Sequence, residues 1–301
     1  MLTLLLIMTI TFFLMNAVPG SPFLTEKSTP EMIEKANAKY GLDKPLIVQL
    51  INYIKSYVQG DLGTSLKMQE GTSVNDIIFR QGKFTLSIKL GVIAIILSLV
   101  IGIPLGCLAA YHRGSWLDGL LRVVTTFGVA LPTFVLATLL LATFAVKLNW
   151  LPTQSLKLDS FKSLVMPAIS MSFYYTCYVA KLMRTSMLDA IHQDYIRTAR
   201  AKGVKTRWVV LKHALKNSLI PVITYMGPVS AGIITGSFVV ESTFSIPGLG
   251  KYFVQCVMSR DYPVIMATTV VLSALVIFMN LVVDIAYKLV DPRITLTGGE
   301  A

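Results

Sequence analysis

Few residues in this chain could do chemistry, and they do not gather. Cys107, Cys177 and Cys256 lie far apart and form no Cys-x-x-Cys pair, so neither a zinc site nor a disulfide framework is encoded. His112, His192 and His213 are equally scattered and read as interfacial or helix-capping residues. The dipeptides Gly82-Lys83 and Gly250-Lys251 are followed by Phe and Tyr, and neither closes a Gly-x4-Gly-Lys frame. The chain therefore carries no phosphate-cradling loop, and no bound cofactor or metal is expected. What stands out is a basic stretch, residues 194–221, DYIRTARAKGVKTRWVVLKHALKNSLIP. Its resources are charge and shape.

The surrounding chain is very apolar. Of 301 residues, 54% are hydrophobic and 14% charged, against about 25% charged in a soluble domain; the mean hydropathy is +0.65. Six uncharged runs stand out: Met1–Thr25, Leu90–Tyr111, Val123–Val146, Ser163–Ala180, Asn217–Val240 and Tyr262–Val283. A bilayer core of about 30 Å needs roughly 20 helical residues. All six are read as spans; the fourth is short and contains Pro167, Tyr174 and Tyr175. The first has no Lys or Arg before Lys27 and its apolar stretch ends in AVPGSP, so it reads as an uncleaved span. No acidic residue falls inside any run. That argues against a membrane enzyme, and against a fixed ionic site for a metal along a pore.

Orientation follows from Lys and Arg in the short loops. Loop 112–122, segment 181–216 and the tail hold thirteen; the opposite short loops hold five. The basic side is cytoplasmic, both termini lie inside, and residues 26–83 lie outside. The net charge of +11 is then mostly topology. It is divided among loops, with no basic domain to hold nucleic acid.

The external segment has helix signals. STPEMIEKANAKYG, 28–41, offers Ser28 or Thr29 as N-cap, Pro30 in the first turn and Gly41 as the stop. PLIVQLINYIKSYVQG puts Leu46, Leu50, Ile54 and Val58 on one stripe. In the basic segment, Leu188, Ile191, Tyr195 and Thr198 or Ala199 recur at helical spacing, giving an amphipathic helix over Met187–Gly203 with Gly203 as its left-handed cap. Thr206 can cap a second helix entering the fifth span. Ala199, Ala201 and Gly203 form a smooth shoulder suited to protein docking.

Arg197-Thr198-Ala199-Arg200-Ala201-Lys202-Gly203, followed by His213-Ala214-Leu215-Lys216-Asn217 and Pro221, resembles the cytoplasmic coupling loop of binding-protein-dependent ABC importer permeases. Gly203 and Ala199 match the wider pattern, whereas Arg197, Thr198, His213 and Lys216 depart from it and fit the peptide/nickel branch. Ala17–Phe23, Tyr225–Pro228, Gly232–Ser237, Val240–Gly250 with Arg260–Tyr262, and Asp291–Arg293 are similar to stretches of oligopeptide permeases in order and spacing. That family begins with a short basic stretch that this sequence lacks, so a start a few residues upstream is expected.

The resemblance implies an all-α polytopic membrane protein with six transmembrane helices of the type I ABC importer permease fold, plus a small external helical segment. Residues 1–25 would be the first helix, 26–83 the external segment, 84–288 the permease domain with coupling loop 181–216, and 289–301 a cytoplasmic tail. It implies half of a pore for oligopeptides in a bacterial-type cell membrane, completed by a second homologous permease subunit. Two cytoplasmic ATPase subunits would use ATP, and an extracytoplasmic peptide-binding protein would deliver cargo. Dipeptides, nickel or glutathione are alternative cargoes, and an uncoupled channel is the alternative of another class. Tyr195, Arg197, Thr198, Ala199, Ala201 and Gly203 would contact the ATPase. Pro132, Met226, Gly227, Pro228, Gly232 and Gly236 would line or gate the pore. Glu241, Pro247, Gly248, Gly250 and Asp261 would form the external loop facing the binding protein.

Overall fold

The fold is seen in a computed structural model, which describes residues 2–18, 41, 43–154, 160–205, 208–209 and 214–290. The helix expected over 28–41, the motif beyond Val18, the Thr206 cap, His213 and the Asp291–Arg293 signature lie outside these residues. The described residues are helical, with a single isolated bridge between Thr64 and Ser73. Two compact units divide the chain, residues 1–87 with 247–276 and residues 88–246 with 277–301.

In the first unit, α1 (Leu2–Ala17) buries Met8, Phe12 and Met15, one stripe at spacings of four and three. Much of the rest of α1, including Leu2, Leu6 and Leu14, is exposed. At 16 residues it is about 24 Å long, short of a full crossing. α2 (Leu46–Val58) turns Leu50, Tyr53, Ile54 and Tyr57 onto the same core and ends before Gly60, at φ +78°. This corrects the expected stripe: Leu46 and Val58 are exposed, at 42% and 82%, because the inward face advances by three as well as four. The stretch 60–75 is tied by Asn75, whose Oδ1 accepts from Leu62 N and whose Nδ2 donates to Gly60 O. A π-helical turn, Asp76–Arg80, leads into α3 (Lys83–Tyr111).

The second unit is organised on α6 (Phe161–Ile191), 31 residues long. The fourth run thus sits inside a helix of about 46 Å. Charged residues Lys162, Lys181, Arg184 and Asp189 extend it past the apolar stretch. The third run is not one straight helix. α4 (Trp116–Ala130) stops at Leu131, which is extended, and α5 (Thr133–Leu140) restarts after Pro132. α5 continues as π-helix through Lys147, and the two halves are bent by 102°. The ring of Pro132 disfavours helical backbone at residue 131 and so permits the break there. α6 packs against α4, α5 and α8 (Leu215–Ile234). The fifth run also ends early. Gly236, at φ +93°, stops α8, and Ser237 caps α9 (Phe238–Thr243) by accepting from Val240 N.

Glycines set the closest helix approaches. A Cβ on Gly102 would lie 2.8 Å from Thr176 O, on Gly106 2.5 Å from Ala180 O, and on Gly128 2.3 Å from Cys177 Sγ. Gly102-x3-Gly106 is therefore a small-residue seam along which α3 meets α6 backbone to backbone. Among the described residues three helices are long and apolar enough to cross a bilayer: α3, α8 and Tyr262–Ile285 of the last helix. The bent α4–α5 pair makes a fourth if it is one broken span.

Candidate functional site

The basic segment folds as two helices with a corner, not one. α6 runs on to Ile191, where His192 is its C-cap and its Nδ1 lies 2.6 Å from Leu188 O. The chain turns at His192–Gln193 and restarts as α7 (Asp194–Ala201). Leu188 and Ile191 therefore belong to the spine, correcting the helix expected over Met187–Gly203. The left-handed cap is where the sequence placed it: Gly203 has φ +75°, and Val204 N donates to Ala199 O at 3.2 Å. That is the 6→1 bond of a Schellman ending.

α7 is anchored inward by Ile196, at 0% exposure, and by Ala199, at 7%. Tyr195, Arg197, Thr198, Ala201 and Gly203 face out. Of the expected docking residues, only Ala199 is turned into its own protein. Ile196 carried no docking signal, although its apolar type at this spacing marks it as an anchor.

The candidate path residues divide. Met226 and Gly227 are buried in the α8 packing face, and Gly236 is a helix stop. Pro132 is exposed at the α4–α5 break. Pro228 and Gly232 lie on an open stripe of α8 with Pro221 and Thr224. Beside that stripe stand four tyrosines that sequence reasoning did not treat as a site. Tyr178 of α6 stacks on Tyr225 of α8, with centroids 4.1 Å apart. Tyr174 lies 6.3 Å from Tyr178 and 5.2 Å from Tyr175. All four are half-buried and near the middle of long helices. Tyr174 and Tyr225 also share a side-chain hydrogen bond, and four phenol hydroxyls gathered on one face suit water or protein better than lipid.

The external-loop candidates are structural to different degrees. α10 (Leu249–Ser259) starts after Gly248, and Leu249 N donates to Ser87 Oγ at 2.8 Å. Pro247 and Gly248 line a cleft of about 240 Å³ with Lys83, Lys251, Tyr252 and Gln255. Lys83 lies over the Tyr252 ring at 4.6 Å and bonds Gln81. Gly250 is buried. Glu241 and Asp261 are both at 0% exposure, so neither offers a charge to a partner; this corrects their place among the facing residues.

Asp261 is instead a clasp. Its Oδ2 accepts from Ser65 Oγ, Lys67 N and Met68 N at 2.5, 3.1 and 3.0 Å, and its Oδ1 from Leu66 N at 3.0 Å. It sits between α10 and α11 (Tyr262–Val290), after Arg260 in a left-handed turn. Burial, and after it the Asp261 carboxylate, push the Cys256 thiol and the Tyr53 phenol well above their ordinary values. Neither group ionises near neutral pH.

At the α6 end nearest α7, Asp118 of α4 is 1% exposed and takes both Nε and Nη2 of Arg184, at 2.6 and 2.9 Å, while Gly114 N donates to it at 3.0 Å. The pair is 66 positions apart in sequence and gave no local signal.

The sequence pattern of the family described as "Binding-protein-dependent transport system inner membrane component" matches residues 102–296, and that of its N-terminal component matches residues 1–88. The chain belongs to this family. Among relatives of this inner membrane component, the dipeptide transport system permease protein of Bacillus subtilis is 45% identical over 98% of this chain and 94% of its own. The oligopeptide transport system permease protein of Haemophilus influenzae is 41% identical over 97% and 95%. In fold, the chain is similar to a chain of the inward-facing MetNI methionine ABC transporter, with a TM-score of 0.56, 17% identity, and coverage of 69% of this chain and 94% of that one. A chain of an amino acid ABC transporter gives 0.55, 12%, 69% and 92%. The fold expectation thus holds: this is an all-α, multi-pass protein of the type I ABC importer permease fold.

Proposed function

We propose that this permease forms half of the translocation path of an ATP-driven importer of short peptides, and that α7 is its coupling helix. One observation carries the coupling assignment: a short, solvent-facing helix, closed by a glycine Schellman turn, hangs between the spine α6 and the span α8. A loop that only held topology needs no such rigid knob. Tyr195, Thr198, Ala201 and Gly203 would enter a cleft on an ATPase subunit, and Ile196 and Ala199 would pass the push to the spine. ATP-driven closure would then bias two packings of the helices against each other. A second permease subunit would complete the path, and an external binding protein would supply cargo.

The path wall would be the open stripe of α8, Pro221, Thr224, Pro228 and Gly232, with the tyrosines Tyr174, Tyr175, Tyr178 and Tyr225. It is uncharged, with hydroxyls and ring faces that can meet any peptide backbone. Nickel would want imidazole or carboxylate ligands, and this wall has none among the described residues. The names of the relatives support peptides as the cargo class. Oligopeptides are the first reading; dipeptides are the second, favoured by the 45% identity to the Bacillus subtilis protein.

The test is a nucleotide-sensitive crosslink. Ala201→Cys is placed in a chain whose three native cysteines are alanine and is expressed with the ATPases of its transport system. The expected result is an adduct to an ATPase whose yield changes with ATP. Peptide uptake with no adduct in an assembled complex would remove α7 from the coupling role. Gly203→Asp is expected to insert normally and abolish uptake.

A further inference from the structure

A second feature of the helical bundle is unrelated to cargo. At the end where α3 closes and α4 opens, a cleft of about 130 Å³ lies between α3, α4 and α6. Its walls carry Leu105, Ala109, Leu121 and Ala180 with three threonines, and its rim is cationic (Arg122, Lys181 and Arg184). The Asp118 carboxylate is committed to Arg184 in a two-pronged bond and stands 3.7 Å from Arg122 Nε. Among the described residues no carboxylate pairs with Lys181. Three cations against one anion leave the rim at +2.

The depth of the cleft is legible from the helices. Leu105 lies six residues before the end of α3 and Leu121 five after the start of α4, about 8–9 Å inside the bundle end. Tyr111 and Trp116, 61% and 79% exposed, bracket that end as an aromatic boundary between water and lipid. Below the rim, Leu105 of α3 and Leu121 of α4 give the cleft an apolar floor. A cationic pocket at interfacial depth, with leucines at its floor, fits an anionic amphiphile.

We infer that this cleft binds the phosphodiester headgroup of an anionic phospholipid, with Arg122 and Lys181 on the phosphate and the acyl chains leaving past Leu105 and Leu121. Arg184 lends shape and is kept in place by Asp118. The chemistry is that of a phosphoryl anion; the apolar floor makes the source a lipid, not free phosphate. A basic pocket between membrane helices is suited to this.

The experiment uses the chain purified with the proteins it assembles with, delipidated in detergent and titrated in native mass spectrometry. Probes are dioleoyl phosphatidylglycerol, dioleoyl phosphatidylcholine and inorganic phosphate. The expected result is selective retention of phosphatidylglycerol, which falls about fivefold for each of Arg122→Gln and Lys181→Gln. Arg113→Gln with Lys147→Gln, which removes two cations outside the cleft, is expected to leave that selectivity unchanged. Equal retention of both lipids, or wild-type selectivity in the Arg122→Gln/Lys181→Gln variant, would overturn the proposal and leave the two cations reaching for water. Competition by phosphate with no lipid selectivity would overturn it in favour of a free-anion site. None of these outcomes depends on peptide transport.

Discussion

Replacing Asp261 should loosen the stretch 62–72 far more than it disturbs the helices. The carboxylate accepts four hydrogen bonds, from Ser65 Oγ and from the backbone N–H of Leu66, Lys67 and Met68. In Asp261→Ala, Lys67 and Met68 can turn to water, since both reach the surface. Ser65 and Leu66 cannot, at 0% and 4% exposure. Two orphaned buried donors at about 1–3 kcal/mol each give a cost of roughly 3–4 kcal/mol. At 1.4 kcal/mol per tenfold, that raises local opening by about two to three powers of ten. Asp261→Asn keeps one carbonyl for the Oδ2 cluster but turns an amide against Leu66 N–H. Its cost is about 2 kcal/mol, one buried bond to a charged acceptor. Hydrogen exchange read on peptides covering 62–72, with α8 peptides as the internal reference, separates the two. Faster exchange is expected in the order Ala, Asn, wild type, with α8 unchanged. If Asp261→Ala left the Leu66–Met68 amides as protected as in wild type, the clasp would not be what orders this stretch.

Two further perturbations test the second unit. Gly106→Ala should lower the thermal unfolding midpoint of the solubilised protein, because its Cβ meets Ala180 O at 2.5 Å and Met183 Cβ at 2.6 Å, an overpacking worth about 1–3 kcal/mol. Gly119→Ala on α4 meets nothing within 4 Å and should raise the midpoint, by up to about 1 kcal/mol of helix propensity; shifts of the same sign would refute the packing argument. Asp118→Asn should cost about 2–3 kcal/mol, a buried-pair penalty reduced because Arg184 is 19% exposed. Combining Asp118→Leu with Arg184→Leu should recover most of that loss, and additive losses in the double-mutant cycle would refute the pairing.

The sequence announced the helices and hid their breaks. Six uncharged runs marked where apolar helices would form, because hydropathy sums side chains and side chains decide burial in lipid. Backbone geometry does not enter that sum. Pro104, Pro167, Pro221 and Pro228 stay within continuous helices, while Pro132 divides one by 102°. The residue type is the same in every case. What differs is that α5 packs both on α6 and on α9, and such packing is a tertiary fact. In the basic segment, Gly203 was legible as a cap because glycine at a helix end has a local meaning. The corner at His192 was not, since Leu188 and Ile191 keep helical spacing with Tyr195 across it. The tyrosines were visible as weak points of a span, but their stacking across α6 and α8 needs the pairing of two helices.

Asp261 and Glu241 were misplaced for a related reason: an acid in an external loop reads as a surface charge unless its burial is seen. Among the described residues three acids are buried, Asp118, Glu241 and Asp261, and all three lie outside the apolar runs. Asp118 fastens α4 to α6, and Asp261 fastens the 65–68 stretch to the start of α11. Within the runs the contacts are of another kind, glycine against backbone at Gly102 and Gly106 and against the Cys177 side chain at Gly128. Lipid gives no hydrophobic force to press helices together. Apolar seams therefore supply shape-dependent attraction that one packing can exchange for another. Charged clasps at the ends are expensive to open, because each broken bond strands a buried ion. In this chain the two kinds of contact are carried by different residues, the exchangeable seams by glycines inside the runs and the fixed clasps by acids outside them.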